Sequence, residues 1–402
     1  ILFLTFFSIN SVYSFDIVQA VERAILNDPE FLAEKRLFQS KKELVFLSDS
    51  SLRPNLTINS NFTKADGSNT SSSETQSYGL TLTQSIYNKG LNITSLQSRL
   101  RVKEAEINYQ IALENTIVRI TSAYFDILVA QSDLKTIEAE KKAVGEQLEF
   151  AKRNFEVGTS TITDQQEAQA RFDLIRASEI RTRNDLAIKR TNLEKSLLLP
   201  LPEKLTGIEK AIKFNSPQIT SPSEWMTIAR ENNRTVAVAK IATEIAKLDL
   251  KKQKALRIPS ISASVSTSYT DLDSTINTSG NNQSYGISLS APIYSGGSIS
   301  AKARESVANL LRSEQLLELK LLNADRVAGK SFRTLVAGLS QVEALEAAER
   351  SSKVALESNK LGYEVGVRIN IDVLNAQKQL FSTQRDLASA RYSVLKSKIQ
   401  LL

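Results

Sequence analysis

The chain is written twice. Phe155-Glu156-Val157-Gly158 returns as Tyr363-Glu364-Val365-Gly366, 208 residues on (155 to 363). Gln76-Ser77-Tyr78-Gly79 returns as Gln283-Ser284-Tyr285-Gly286, 207 residues on (76 to 283), and Ser85-Ile86-Tyr87 is answered by Pro292-Ile293-Tyr294 at that same offset. Near the start, Ala24-Ile25-Leu26-Asn27 resembles Ala229-Arg230-Glu231-Asn232. Matches in one order at nearly one spacing require a fold made of two copies of one unit. Pro200, Pro202, Pro217 and Pro222 mark the joint. The spacing predicts a first repeat over 15–199, a linker over 200–223 and a second repeat over 224–402.

Each half follows one script: a short helical stretch, two strands, a very long helix, a tight turn and a return helix. The first stretch, about Ile17 to Ser48, is broken near Pro29. All eight prolines fall outside the expected long helices, whose backbone ladder they would interrupt. Long helices are predicted over about 92–157 and 298–363, with return helices over 162–198 and 370–402. A helix of that length runs on the order of 100 Å at about 1.5 Å per residue. Leu113, Ile117, Ile120, Tyr124, Ile127, Leu134, Ile137, Val144, Leu148, Ala151 and Phe155 step mostly by threes and fours. That is a coiled-coil seam, and Phe332, Leu335, Leu339, Val342 and Leu345 repeat it in the second half.

Strands are predicted over 55–63, 76–86, 259–269 and 284–293. Leu56, Ile58 and Phe62 alternate with Thr, Asn and Ser; Tyr78, Leu80, Leu82 and Ile86 do the same. Ile261, Ala263, Val265 and Tyr269, then Tyr285, Ile287, Leu289, Ala291 and Ile293, follow suit. Strands of about 10 residues with one apolar and one uncharged polar face suit a membrane barrel with a wet lumen. Tyr78, Tyr87, Tyr269, Tyr285 and Tyr294 are expected near strand ends as an interfacial belt. Lys64 to Thr75 and Thr270 to Asn282 are expected as polar loops. A soluble hairpin packed on one face would alternate too, so the pattern leaves that reading open.

Export is indicated at the start. Residues 1–14, with the apolar run Ile1 to Ile9 and the small-residue site Val12-Tyr13-Ser14, read as a signal-peptide remnant. Beyond it, no run approaches the ~18 apolar residues of a membrane helix, so membrane entry would be by strands. Four strands cannot close a barrel, and an open edge cannot stand in lipid. Copies must therefore pool strands, and three copies leave room for a lumen. The chain has no cysteine and no histidine, which removes thiol nucleophiles, His-based triads and nearly all zinc sites. No nucleophile–base pair or phosphate loop is present, so no enzyme and no cofactor are expected. The net charge of +7 is spread over helices of interleaved sign, without the basic stripe that nucleic acid requires.

With duplicated halves, paired strands and Val-Gly turns, the sequence resembles the TolC family of outer-membrane efflux and secretion ducts. The most specific stretches are Phe155 to Thr159 through Ile162-Thr163-Asp164, Tyr363 to Arg368 through Ile371 to Asn375, and Asp386 to Tyr392. The resemblance implies an α+β membrane protein. Its coiled-coil hairpins would form an α-barrel in the periplasm of a Gram-negative bacterium, and four strands per chain would enter a trimeric twelve-stranded barrel. It further implies an exit duct for a tripartite efflux pump or type I secretion. The partners would be a periplasmic adaptor and an inner-membrane pump of RND or ABC type. The rival reading is a secreted coiled-coil structural protein with β-hairpin caps.

The same resemblance assigns Thr163, Asp164, Tyr363 and Arg368 to a periplasmic gate. It places Asp372 in an acidic entrance ring, with Asn375 standing where the family often has a second aspartate. The exposed tips Val157, Gly158, Thr159, Val365, Gly366 and Val367 would dock the adaptor. A plainer alternative stays open: Thr163 and Asp164, with Gln166, open a helix as a cap and first-turn acid, and Asp372 suits the same place in its own helix. Gly158 and Gly366 are expected in the left-handed conformation that ends a long helix.

Overall fold

The computed structural model describes residues 15–67, 70–203, 205–207, 221–273 and 278–401. The signal-peptide remnant over 1–14 and Pro217 of the linker lie outside the described residues. Among those described, eight helices and four strands follow one another in two parallel series. The first is α1 (Ile17–Asn27), α2 (Pro29–Ser50), β1 (Asn55–Gly67), β2 (Thr70–Tyr87), α3 (Lys89–Glu156) and α4 (Ile162–Leu197). The second is α5 (Pro222–Asn232), α6 (Arg234–Ala255), β3 (Ser260–Asp273), β4 (Thr278–Ser290), α7 (Ser298–Glu364) and α8 (Asn370–Leu401). Helices α3 and α7 hold 68 and 67 residues. No helix among the described residues is long and apolar enough to cross a membrane.

The chain divides into two compact units, Glu34–Ile111 with Arg230–Ala324, and Ile1–Ala33 with Ala112–Ala229 and Asp325–Leu402. The first unit carries one antiparallel sheet in the order β1-β2-β3-β4. Its register sorts the side chains by face. Leu56 lies opposite Leu82, Leu82 opposite Val265, and Val265 opposite Tyr285, an apolar row across all four strands. On the same face Ile58 meets Leu80 and Tyr78 meets Tyr269. The other face runs Thr57, Thr81, Ser266, Ser284, with the last two hydroxyls 2.7 Å apart. The apolar face is open: Ile58 is 79% exposed and Ile287 77%. Strands β1 and β4 have one neighbour each, so one side of each keeps its N–H and C=O groups unpaired in a single chain.

Three expectations change here. The strands outrun their predicted ends, because β1 and β2 pair from Asn55 opposite Thr83 out to Gly67 opposite Thr70. Lys64 to Thr75 is thus largely ladder, steadied by the Lys64 Nζ–Glu74 Oε1 ion pair at 2.7 Å, and most of Thr270 to Asn282 is strand as well. In consequence Tyr78 and Tyr269 sit opposite one another within the ladder and not at strand ends. Strand β4 stops at Ser290, leaving Ile293 and Tyr294 beyond it and exposed.

In the second unit most of the seam is buried, with Leu113, Ile117 and Leu134 half-buried. Ile120, Tyr124 and Ile127 of α3 close on Leu193 and Leu197 of α4 and Ala20 and Ala24 of α1. Nearer the turn, Val144, Leu148 and Ala151 pack on Ala168 and Ile175 of α4. Leu335 and Val342 of α7 meet Leu387, Ala390 and Val394 of α8. Phe155, expected on the seam, is exposed at the last turn of α3. The Tyr124 hydroxyl donates to the carbonyl oxygens of Phe15 and Thr206, both at 2.9 Å, and burial pushes its pKa up to about 12.

Candidate functional site

The two long helices end alike. Gly158 has φ +76° and Gly366 φ +78°, the left-handed conformation that reverses a helix end. In the first turn Thr159 N–H donates to Asn154 O at 2.8 Å; in the second Val367 N–H donates to Gly362 O at 2.8 Å. These bonds use carbonyls that the helix itself leaves free. Val157, Val365 and Val367 stand out at 72%, 65% and 78% exposure, unusual for β-branched apolar residues. Thr159 is exposed beside them.

Just past the first turn, α4 opens on a capping box whose N-cap is Thr161, not Thr163. The Thr161 hydroxyl accepts from Asp164 N–H at 3.2 Å, and Asp164 Oδ2 accepts from Thr161 N–H at 3.0 Å. Thr163 is exposed in the first helical turn. Asp164 therefore spends its carboxylate on its own helix. Within the chain the acid beside Arg368 is Asp372, four residues on, with Nη1 and Oδ2 3.7 Å apart. Among the described residues no ion pair joins Asp164 to Arg368 within one chain.

Tyr363 faces inward. Its ring meets Phe150 edge-on at 5.7 Å, and its hydroxyl is buried without a partner. Tyr363, Phe150, Gln147 and Gln377 border a cavity of about 200 Å³, and the Gln377 Oε1 is buried without a partner as well. Asp372 and Asn375 line an open groove between α7 and α8 with Asn359 and Gln379. The structure thus brings Asp372, Asn375 and Arg368 to one hairpin end, and Thr163 with Asp164 to the other.

Two polar connections here are invisible to sequence patterns. Asn370, 1% exposed, accepts from Gln147 Nε2 at 2.6 Å and donates to Asp164 O at 3.1 Å, tying α3, α4 and α8 together at the hairpin ends. Further along, buried Glu140 of α3 accepts from Arg171 of α4 at 3.2 Å and from Arg385 of α8 at 2.9 Å. A buried carboxylate with two guanidinium partners offsets much of its desolvation cost. Neither set has a signature in sequence, because each couples residues far apart in the chain.

The described residues hold no cluster that could bind a metal. The family model for outer membrane efflux proteins matches residues 20–197 and again 225–402. The chain belongs to that family. As an outer membrane efflux protein it is similar to the outer membrane protein TolC of Vibrio cholerae, 29% identical over 98% of this chain and 91% of the relative. It is likewise similar to the alkaline protease secretion protein AprF of Pseudomonas aeruginosa, 25% identical over 95% of this chain and 82% of that one. Its fold matches the Campylobacter jejuni CmeC outer membrane channel with a TM-score of 0.82 at 15% identity, covering 96% of this chain and 84% of that channel. This outer membrane efflux protein is an outer-membrane exit duct for efflux or type I secretion. The rival reading as a secreted coiled-coil structural protein falls with that match.

Proposed function

We propose that three copies of this outer membrane efflux protein pool their sheets into one twelve-stranded barrel. In this reading their helical hairpins form a periplasmic conduit, and its entrance is gated at the turns around Gly158 and Gly366. The observation that carries the reading is the sheet. It has two unpaired edges and a largely exposed apolar face backed by an uncharged polar one. Lipid tolerates neither an unpaired edge nor a wet face, so the edges join between copies and the polar face turns inward.

At the entrance Arg368 is the latch. Its guanidinium is a permanent, forked donor on an exposed turn, and in a ring it reaches the Thr163–Asp164 end of the neighbouring hairpin. The buried, unpartnered Tyr363 hydroxyl supports a second link that forms in another state of the entrance. Asp372 gives the entrance its acidic ring, and Asn375 keeps that ring at one carboxylate per copy. The exposed valines at the tips, 157, 365 and 367, dock a periplasmic adaptor that connects the duct to an inner-membrane pump of RND or ABC type.

Exposed ion pairs contribute only about 0–1 kcal/mol each, so a threefold set is a latch that a partner can open. In planar bilayers Arg368→Ser is expected to raise single-channel conductance while leaving the assembly intact on native gels. Unchanged conductance would reduce Arg368 to a structural residue.

A further inference from the structure

Because the chain is duplicated, each hairpin turn is an internal control for the other. At the offset of 208 residues Gly158 corresponds to Gly366 (158 to 366), Asn154 to Gly362 (154 to 362) and Ser160 to Arg368 (160 to 368). The backbones agree. Asn154 O accepts from Thr159 N–H at 2.8 Å and Ser160 N–H at 3.2 Å; Gly362 O accepts from Val367 N–H at 2.8 Å and Arg368 N–H at 3.0 Å. The residue after the left-handed glycine and the one beyond it fold back over the same helical position in both turns.

The side chains do not agree. In the first turn the covered position bears a side chain, Asn154, and the covering residue is short, Ser160. In the second the covering residue is long, and the covered position has no side chain at all. A Cβ placed on Gly362 would lie 2.7 Å from Arg368 Cγ and 3.4 Å from Arg368 Cβ. The obstructed atom belongs to the stem of the arginine, close to the backbone, where a small rotation at the far end brings no relief. Gly362 lies within helix α7 and its φ is not positive, so nothing in its own backbone calls for glycine. Left as it is, it forfeits the helix propensity that any ordinary residue would bring.

We infer that Gly362 is the positioning residue for Arg368: its missing side chain is the seat in which the arginine stem lies, and this aims the guanidinium. The inference deepens the gate reading and rests on it for its functional consequence, though the seat is a matter of geometry alone. Size is exchanged across the contact between the two repeats, large over none against small over medium, while the turn is conserved.

The test uses the full-length assembly with Gly362→Ala, Arg368→Ser, the double variant, and Asn154→Gly as the control in the other turn. Two readouts are taken: single-channel conductance, and the rate at which an arginine-selective dicarbonyl modifies Arg368, followed by mass spectrometry. Gly362→Ala is expected to raise conductance toward that of Arg368→Ser, and to add nothing in the double variant. Its effect on Arg368 modification is expected to be a clear rise, up to about fivefold if the exposed pair with Asp372 is released. Asn154→Gly should leave conductance at the wild-type level. Thermal stability of Gly362→Ala is expected to hold or improve, which separates a lost seat from a damaged helix. If the modification rate stays at the wild-type value, there is no seat. If Arg368→Ser opens the duct and Gly362→Ala does not, the seat does not serve the gate. If Arg368→Ser itself changes nothing, the gate reading fails and the modification rate alone decides the seat.

Discussion

Asp164 is held within a few residues of its own position, by bonds with the backbone and hydroxyl of Thr161. Removing either member frees donors at the start of α4. Thr161→Ala is therefore expected to cost about 0.5–2 kcal/mol, seen as faster amide exchange over the first turn of α4, with Thr163→Ala far milder. The family resemblance pointed to Asp164 as a gate residue, and the local sequence pointed to a cap. Inside one chain the cap is what forms. A carboxylate so engaged keeps lone pairs available, so a neighbour's cation can still approach it. Sequence reading misplaced the N-cap by two residues because Thr161 and Thr163 are equally good candidates by composition. The choice falls to the backbone, which is extended at Thr161 with ψ 158°. Asn370 was not legible at all: its role depends on Gln147, more than two hundred residues away in the chain.

Helices α3, α4 and α8 meet along a charged seam whose two ends respond oppositely to acid. Glu179 is held below the usual carboxylate range, first by the hydrogen bond from Lys141 Nζ at 2.6 Å and further by Arg183. Its contribution to stability is complete above the free carboxylate pKa and is lost as pH falls through the lower folded value. Asp133 is the reverse case. Burial raises its pKa, against the pull of Arg385 and Lys189, and one of its oxygens has no partner. Its ionisation opposes folding, and acid relieves that cost as pH falls through the raised folded value. Denaturation midpoints should show Glu179→Gln weaker than wild type at neutral pH, and Asp133→Asn firmer. Both differences should shrink in acid. The long helices themselves were legible almost to the residue, since glycine and proline mark their limits. The strands were not. Lys64, Asp66 and Glu74 look like loop residues, yet a ladder exposed on both faces demands backbone pairing and no apolar side chain.

The duplication made the architecture readable from the outset, because two copies of one script admit few folds. What it could not supply was the register that sets Leu56, Leu82, Val265 and Tyr285 in one row. That row lets the barrel be tested directly. Leu80→Arg, on the apolar face, is expected to cost about 2–4 kcal/mol if it lies near the bilayer midplane, while Ser266→Arg on the opposite face should cost little. The yield of folded assembly recovered in lipid vesicles would separate the two. The twin turns carry one last consequence. Ringed by three chains, they would present six corners of the same backbone shape, every second one bearing an arginine two residues past its glycine. The mouth would be a hexagon in outline but a triangle in the placing of that one guanidinium, so a docking protein that grips shape would meet six equal footholds, and one that seeks the guanidinium only three.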